Sequence, residues 1–136
     1  MLLDRTLEEL DGIDWGEPTY LSSLVIDCHR LRRVALKDFT DFDLARMIRQ
    51  KFSLDWLVPI AIARLLDEPF AGESYDGELI SAALALPANF WLGHADLAKS
   101  LGLVVRNAFD QLPAYVEANG ELEVGTAKLL HEYKLS

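Results

Sequence analysis

The chain has 136 residues, 51% of them hydrophobic and 10% aromatic, with a formal net charge of −9. That length supports one domain, residues 1–136, with a real core, and the apolar content excludes global disorder. The acidity argues against a nucleic-acid backbone or an anionic membrane as partner and for a basic one; the bland alternative is that it only keeps the chain in solution.

Residues 1 to 20 hold Asp4, Glu8, Glu9, Asp11, Asp14 and Glu17 against a single Arg5. Thr6 and Glu9 have capping-box spacing, which predicts a helical turn over Leu7 to Leu10 before Gly12. Trp15 and Pro18 are expected to anchor this arm by packing, with its carboxylates pointing outward. Ser23 to Arg33 follows helical spacing, with Leu24, Cys28 and Leu31 on one side. Arg30, Arg32, Arg33 and Lys37 form a basic cluster. A phosphate site is one reading of it, and pairing with the chain's own acidic segments is the reading that the overall charge favours.

Leu36 to Pro69 is the stretch the rest leans on. Thr40 is placed to cap a helix with Asp41 and Asp43 in its first turn and Arg46, Arg49 and Lys51 toward its end, the order that the helix dipole favours. Phe39 and Leu44 have staple spacing, and Leu44, Met47, Ile48 and Phe52 form an apolar stripe. Leu57 to Leu66 is apolar or proline except at Arg64, as in the buried centre of a bundle. Pro59 allows two readings, a helix from near Ser53 that kinks, or a helix that starts at Pro59 after a turn; the second is preferred because a first-turn proline loses no hydrogen bond.

Asp67 to Glu78 carries Asp67, Glu68, Glu73, Asp76 and Glu78 with no basic residue and reads as a surface loop. Asp76 can cap a helix over Glu78 to Leu86 that ends before Pro87, and a brief helix follows from Ala88 to Leu92. Leu97 to Leu112 keeps helical spacing up to Pro113; Tyr115 and Val116 then sit on a short turn closed by Asn119-Gly120. Thr126 can cap a last helix, although Leu122 to Val124 can equally be extended. No alternating pattern is sustained enough for a sheet. The sum is an all-α fold, a single irregular bundle of about six or seven helices.

Little here suggests an enzyme. Cys28 and His29 are helical neighbours whose side chains diverge by about 100°, so they form no thiolate–imidazole pair. His29, His94 and His131 are far apart and no metal-ligand spacing or phosphate loop is present, so no metal and no cofactor is expected. A hydrolase using dispersed residues such as His29 and Asp27 is the weakest reading. No apolar run approaches the roughly 18 to 20 residues that span a bilayer, because Trp56 to Ala63 is ended by Arg64. The first residues, MLLDRTLEELD, are acidic where a signal peptide needs a basic and then an apolar run. Cys28 has no second cysteine to pair with. The expected location is the cytosol.

The run FTDFDLARMIRQKFSLDWLVPIAIARLLDEP, preceded by SSLVIDCHRLRRVALKD and by LEELDGIDWGEP, resembles the immunity proteins of bacterial contact-dependent growth inhibition systems. The resemblance is firmest at Leu7 to Pro18, at His29 to Arg32 and at Leu57 to Pro59. It departs from the family at Phe52-Ser53, where a small residue, often glycine, is usual. What it implies is a cytosolic protein that binds the C-terminal toxin domain of a secreted exoprotein, so protecting the producing cell. Many such toxins are nucleases with basic active surfaces, which an acidic inhibitor could block in a 1:1 complex of a monomer, without chemistry. The partner surface is then expected at Asp11, Asp14 and Glu17 on the arm and at Asp67, Glu68, Glu73, Tyr75, Asp76 and Glu78 on the loop, Tyr75 being the exposed aromatic anchor. The rival reading is an acidic helical adaptor with no toxin.

Overall fold

Thr40 is followed at the right distance by a carboxylate, and the two close on each other. In the computed structural model, which describes residues 1–135, the Thr40 hydroxyl accepts from the Asp43 amide at 3.1 Å and the Asp43 carboxylate accepts from the Thr40 amide at 3.0 Å. This box satisfies two amides that would otherwise lack partners, and it opens the helix Asp41–Arg49. Phe39, Leu44, Met47 and Ile48 all lie in the core, as the staple and stripe require.

The described residues contain eight α-helices, against six or seven expected: α1 Leu7–Asp11, α2 Ser23–Leu31, α3 Asp41–Arg49, α4 Leu54–Asp67, α5 Glu78–Leu84, α6 Ala88–Leu92, α7 Ala95–Asn119 and α8 Val124–Leu135. No strand is present among them, so the all-α expectation holds. α4 is the central helix, burying Leu57, Val58, Ala61, Ile62 and Leu65. It packs on α3, α5 and α7, while α3 also packs on α5 and α5 on α8. None of these helices is long and apolar enough to cross a membrane.

At Pro59 the structure takes the start near Ser53 and not the preferred start at Pro59, and Pro113 does not end its helix. α4 begins at Leu54 and contains Pro59, and α7 runs through Pro113 to Asn119, so the separate turn at Tyr115 does not exist. Each proline removes one helical donor, but Pro59 and Pro113 lie on exposed faces. There water can reach the carbonyl one turn back, and burial on the opposite face outweighs the local loss. Two caps also differ. Gly77, not Asp76, stands before α5, with φ 86°. At α8 the Glu123 carboxylate accepts from the Thr126 amide at 2.8 Å, while Thr126 is buried and its hydroxyl reaches the Gly77 carbonyl at 3.4 Å. A Cβ on Gly77 would stand 2.5 Å from Thr126 Cγ2, so the α5–α8 contact requires glycine there.

The turn between α3 and α4 explains why small residues suit it. Lys51 and Ser53 adopt φ of 61° and 52°, the left-handed region in which a Cβ is strained. Lys51→Gly is therefore expected to raise stability by about 1 kcal/mol, read as a shift of the urea midpoint at constant slope. Leu57→Ala should cost about 2–5 kcal/mol in the same assay, because the site is closed on every side.

Candidate functional site

Arg32 has 2% of its side chain exposed, and a guanidinium so placed needs a carboxylate. The arm supplies it. Arg32 Nη1 and Nη2 donate to Asp11 at 2.7 and 2.6 Å, and Nη2 also donates to the Ile13 carbonyl at 2.6 Å. Trp15 covers the pair, with its ring centroid 4.7 Å from the Arg32 guanidinium carbon, and its edge meets His29 and Phe52. The bond from Arg32 holds the Asp11 carboxyl below the usual carboxylate range. Trp15 is thus the anchor expected of it, but the Asp11 carboxylate, on a residue that stays at the surface, turns to Arg32 rather than outward.

The remaining basic residues pair in the same way. Arg33 contacts Glu8 at 3.1 Å, Asp14 at 3.4 Å and Glu17 at 3.5 Å; Lys37 meets Asp4 at 2.9 Å and Arg30 meets Asp27 at 2.7 Å. The cluster is thus occupied by the protein's own carboxylates. Asp14 also accepts from the Gly16 amide at 2.7 Å, which is the main cause of its lowered pKa. Glu17, 87% exposed, remains the most available carboxylate of the three on the arm.

The acidic loop builds a different surface. Residues 68–77 fold back on themselves: the Gly77 amide donates to the Phe70 carbonyl at 2.9 Å, the Leu79 amide to the Ala71 carbonyl at 3.2 Å and the Phe70 amide to the Glu68 carboxylate at 3.1 Å. Pro69 and Phe70 are buried, and the Phe70 ring lies 4.3 Å from that of Tyr115 on α7. Between the loop, the start of α3 and α7 opens a cleft of about 520 Å³. Asp67, Glu68 and Asp76 line it, joined by Asp41 and by Tyr115 and Asn119 one helical turn apart. Arg64 also lines it and bonds Asp41 at 3.1 Å and the Phe39 carbonyl at 2.6 Å. The Tyr115 hydroxyl is buried without a hydrogen-bond partner, and burial, then the Asp76 and Glu68 carboxylates, keep it protonated.

Three loop residues stand elsewhere. Glu78 is 2% exposed, and its Oε1 accepts from the amides of Glu73 and Ser74 at 3.0 and 3.3 Å. It shapes the loop from inside and offers nothing to a partner. Tyr75 is half-buried rather than exposed, and its hydroxyl accepts from Arg49 at 2.6 Å. Glu73 remains at the surface. Sequence reasoning missed Tyr115 and Asn119 because it ended their helix at Pro113. It read Asp41 only as a first-turn charge, and no local signal pairs it with Arg64.

The reactive side chains have structural partners. Cys28 is buried, and burial pushes its thiol up, away from the thiolate. His29 Nδ1 lies 3.2 Å from the Gly16 carbonyl. His94 joins the Phe90 carbonyl at 2.7 Å and Asp55 at 3.0 Å; two acceptors favour the imidazolium, and its pKa is raised, most by the Phe90 carbonyl. No group of three or more His, Cys, Asp or Glu that could hold a metal occurs among the described residues.

The family model for CDI immunity proteins matches residues 9–101, from α1 into the first turns of α7. No curated protein and no solved structure matches the chain. Residues 9–20 of the arm, α3, α4 and the acidic loop lie inside the matched region, whereas Tyr115 and Asn119 lie beyond it.

Asp11→Ala leaves Arg32 buried without its carboxylate and should cost about 3 kcal/mol. The pH dependence has a definite sign. The folded pKa of Asp11 lies below its unfolded value, so the pair's stabilisation is present above about pH 4 and is lost as pH falls through the folded value. Urea unfolding at a series of pH values should show a shallower acid limb in Asp11→Ala than in the wild type.

Proposed function

The chain belongs to the CDI immunity proteins, and on that premise we propose that it neutralises its cognate toxin domain by covering a basic active surface, that of a nuclease, in a 1:1 complex in the cytoplasm. The observation that carries this reading is the acidic cleft. Asp67 and Asp76 have no ion-pair partner among the described residues and face it together with Glu68, beside the buried Tyr115 hydroxyl. A surface that binds phosphates is cationic, and carboxylates fixed on a folded loop can take the place of those phosphates. Binding and exclusion suffice, so no reaction on the toxin is involved. The whole chain, residues 1–136, acts as one unit in this account.

The arm contributes less than its charge suggests. Asp11 is committed to Arg32 and Asp14 is shared between Arg33 and the Gly16 amide, which leaves Glu17 as the outer contact. On the loop, Glu73 is the remaining exposed carboxylate, and Tyr75 is half-buried with its hydroxyl bonded to Arg49.

Co-expression with the toxin-domain product of the neighbouring upstream gene tests this directly. Restored growth with a co-purifying 1:1 complex is the expected result; an active toxin that neither binds nor is inhibited would overturn it in favour of an acidic adaptor. Within the complex, the combined variant Asp67→Asn, Glu68→Gln and Asp76→Asn keeps the oxygens that accept hydrogen bonds and removes the charge. Stopped-flow association at low salt should slow about tenfold, with a flatter dependence on ionic strength.

A further inference from the structure

α3 ends on two arginines one turn apart, Arg46 and Arg49. Positive charge suits that end of a helix. Unlike their neighbours, though, these two are poorly matched. Arg30, Arg32, Arg33, Lys37 and Arg64 each hold a carboxylate at 3.1 Å or closer. Arg49 has no ion pair among the described residues; one of its nitrogens donates to Tyr75 at 2.6 Å and to Ser81 at 3.4 Å, the others make no hydrogen bond among those residues, and its charge reaches Glu123 only at longer range. Arg46 approaches Asp27 at 3.5 Å through Nε, which is buried and makes no hydrogen bond, and Asp27 is already held at 2.7 Å by Arg30.

The two guanidinium groups flank a pocket of about 230 Å³ between α2, α3 and α5, walled by Leu24, Phe42 and Ala45 and edged by Gln50. Glu78 also borders it, its Oε1 held by two backbone amides, so two cations and one anion line the pocket and leave it net positive. We propose that this pocket receives one carboxylate side chain, Asp or Glu, of the partner protein, a proposal that rests on the toxin-binding reading above. Two planar forks with free donors match a carboxylate, and the apolar wall strengthens such bonds by excluding water. The protein's net charge of −9 repels a polyanion such as a nucleic acid or an anionic membrane. A single carboxylate carried on a basic protein surface meets no such barrier.

The position of the pocket gives the contact a purpose. Arg49 bonds Tyr75, and the next residue, Asp76, lines the acidic cleft, so pockets of opposite sign flank one loop. A partner that fills both is held in one register, because sliding brings like charges together.

The test uses the wild-type complex with the cognate toxin domain and two variants, Arg49→Lys, which keeps the charge and loses the fork, and Arg46→Gln. Calorimetric titration should show each binding at least about tenfold more weakly, chiefly through faster dissociation. Far-UV circular dichroism identifies a variant that fails to fold, and the other then decides. Neutralising the toxin domain's surface Asp and Glu residues one at a time should reveal one whose loss weakens binding equally and adds nothing in the Arg49→Lys background. If the wild-type complex forms and no toxin carboxylate couples to either arginine, this inference is overturned alone. If the wild type forms no complex, the functional reading fails and this inference falls with it.

Discussion

A charged group closed off from water constrains everything that touches it. Removing the Arg32 guanidinium from solvent costs several kcal/mol, and only a well-placed carboxylate with further acceptors offsets that. Asp11 and the Ile13 carbonyl meet the terminal nitrogens within 2.7 Å, while Nε stays unbonded. The net contribution to stability is accordingly small, and what the pair determines is geometry. It ties α1 and the residues after it to α2, reaches the α3–α4 turn through Ser53 at 3.4 Å, and gives Trp15 a surface to cover. It acts together with the Glu8 amide, which donates to the Arg32 carbonyl at 3.1 Å, and the Leu36 amide, which donates to the Arg5 carbonyl at 2.9 Å, in fixing the arm on the bundle.

That constraint divides the charge of the molecule unevenly. The first half of the chain places its carboxylates against its own arginines, so most of the arm's negative potential is cancelled within a few ångströms. Exposed pairs of this sort add little stability, but they do remove charge from what a partner senses. The loop after α4 lacks basic residues in its sequence and so cannot cancel itself. The cation that lines its cleft, Arg64, is committed to Asp41 and the Phe39 carbonyl. Carboxylates without an ion-pair partner therefore gather at the cleft and not on the arm, although a charge count along the sequence rates the two segments alike.

The features legible in the sequence are those set by neighbours in the chain. The Thr40 box, the stripe of α3 and the capping of α1 each depend on spacings of five residues or fewer and stand as read, whereas the apolar run of α4 is buried on one face only, with Pro59, Ala63 and Leu66 exposed. The pairing of the basic cluster was legible too, because net charge leaves few other partners. The failures come from competition between scales. Pro59 and Pro113 are local breakers overridden by helical faces buried against the core. Glu78 sits in an acidic run yet is drawn inward, since two loop amides need an acceptor and its carboxylate is within reach. Tyr75 loses its hydroxyl to Arg49 across 26 residues, a meeting that no local pattern announces.

The same inward pull makes the loop useful. A solvated acidic loop must be ordered when a partner arrives, and that entropy is subtracted from affinity. Here Glu78 binds it from within, Phe70 packs on Tyr115 and its backbone amides are bonded at 70, 73, 74 and 77, so its carboxylates are already set relative to α3 and α7. The family match ends at residue 101, before Tyr115 and Asn119, so the cleft combines a floor of residues from inside the match with a wall from outside it. In the proposed complex a partner meets both: charge on the floor would bring a basic surface close, and the shape of the α7 wall would decide which basic surface fits.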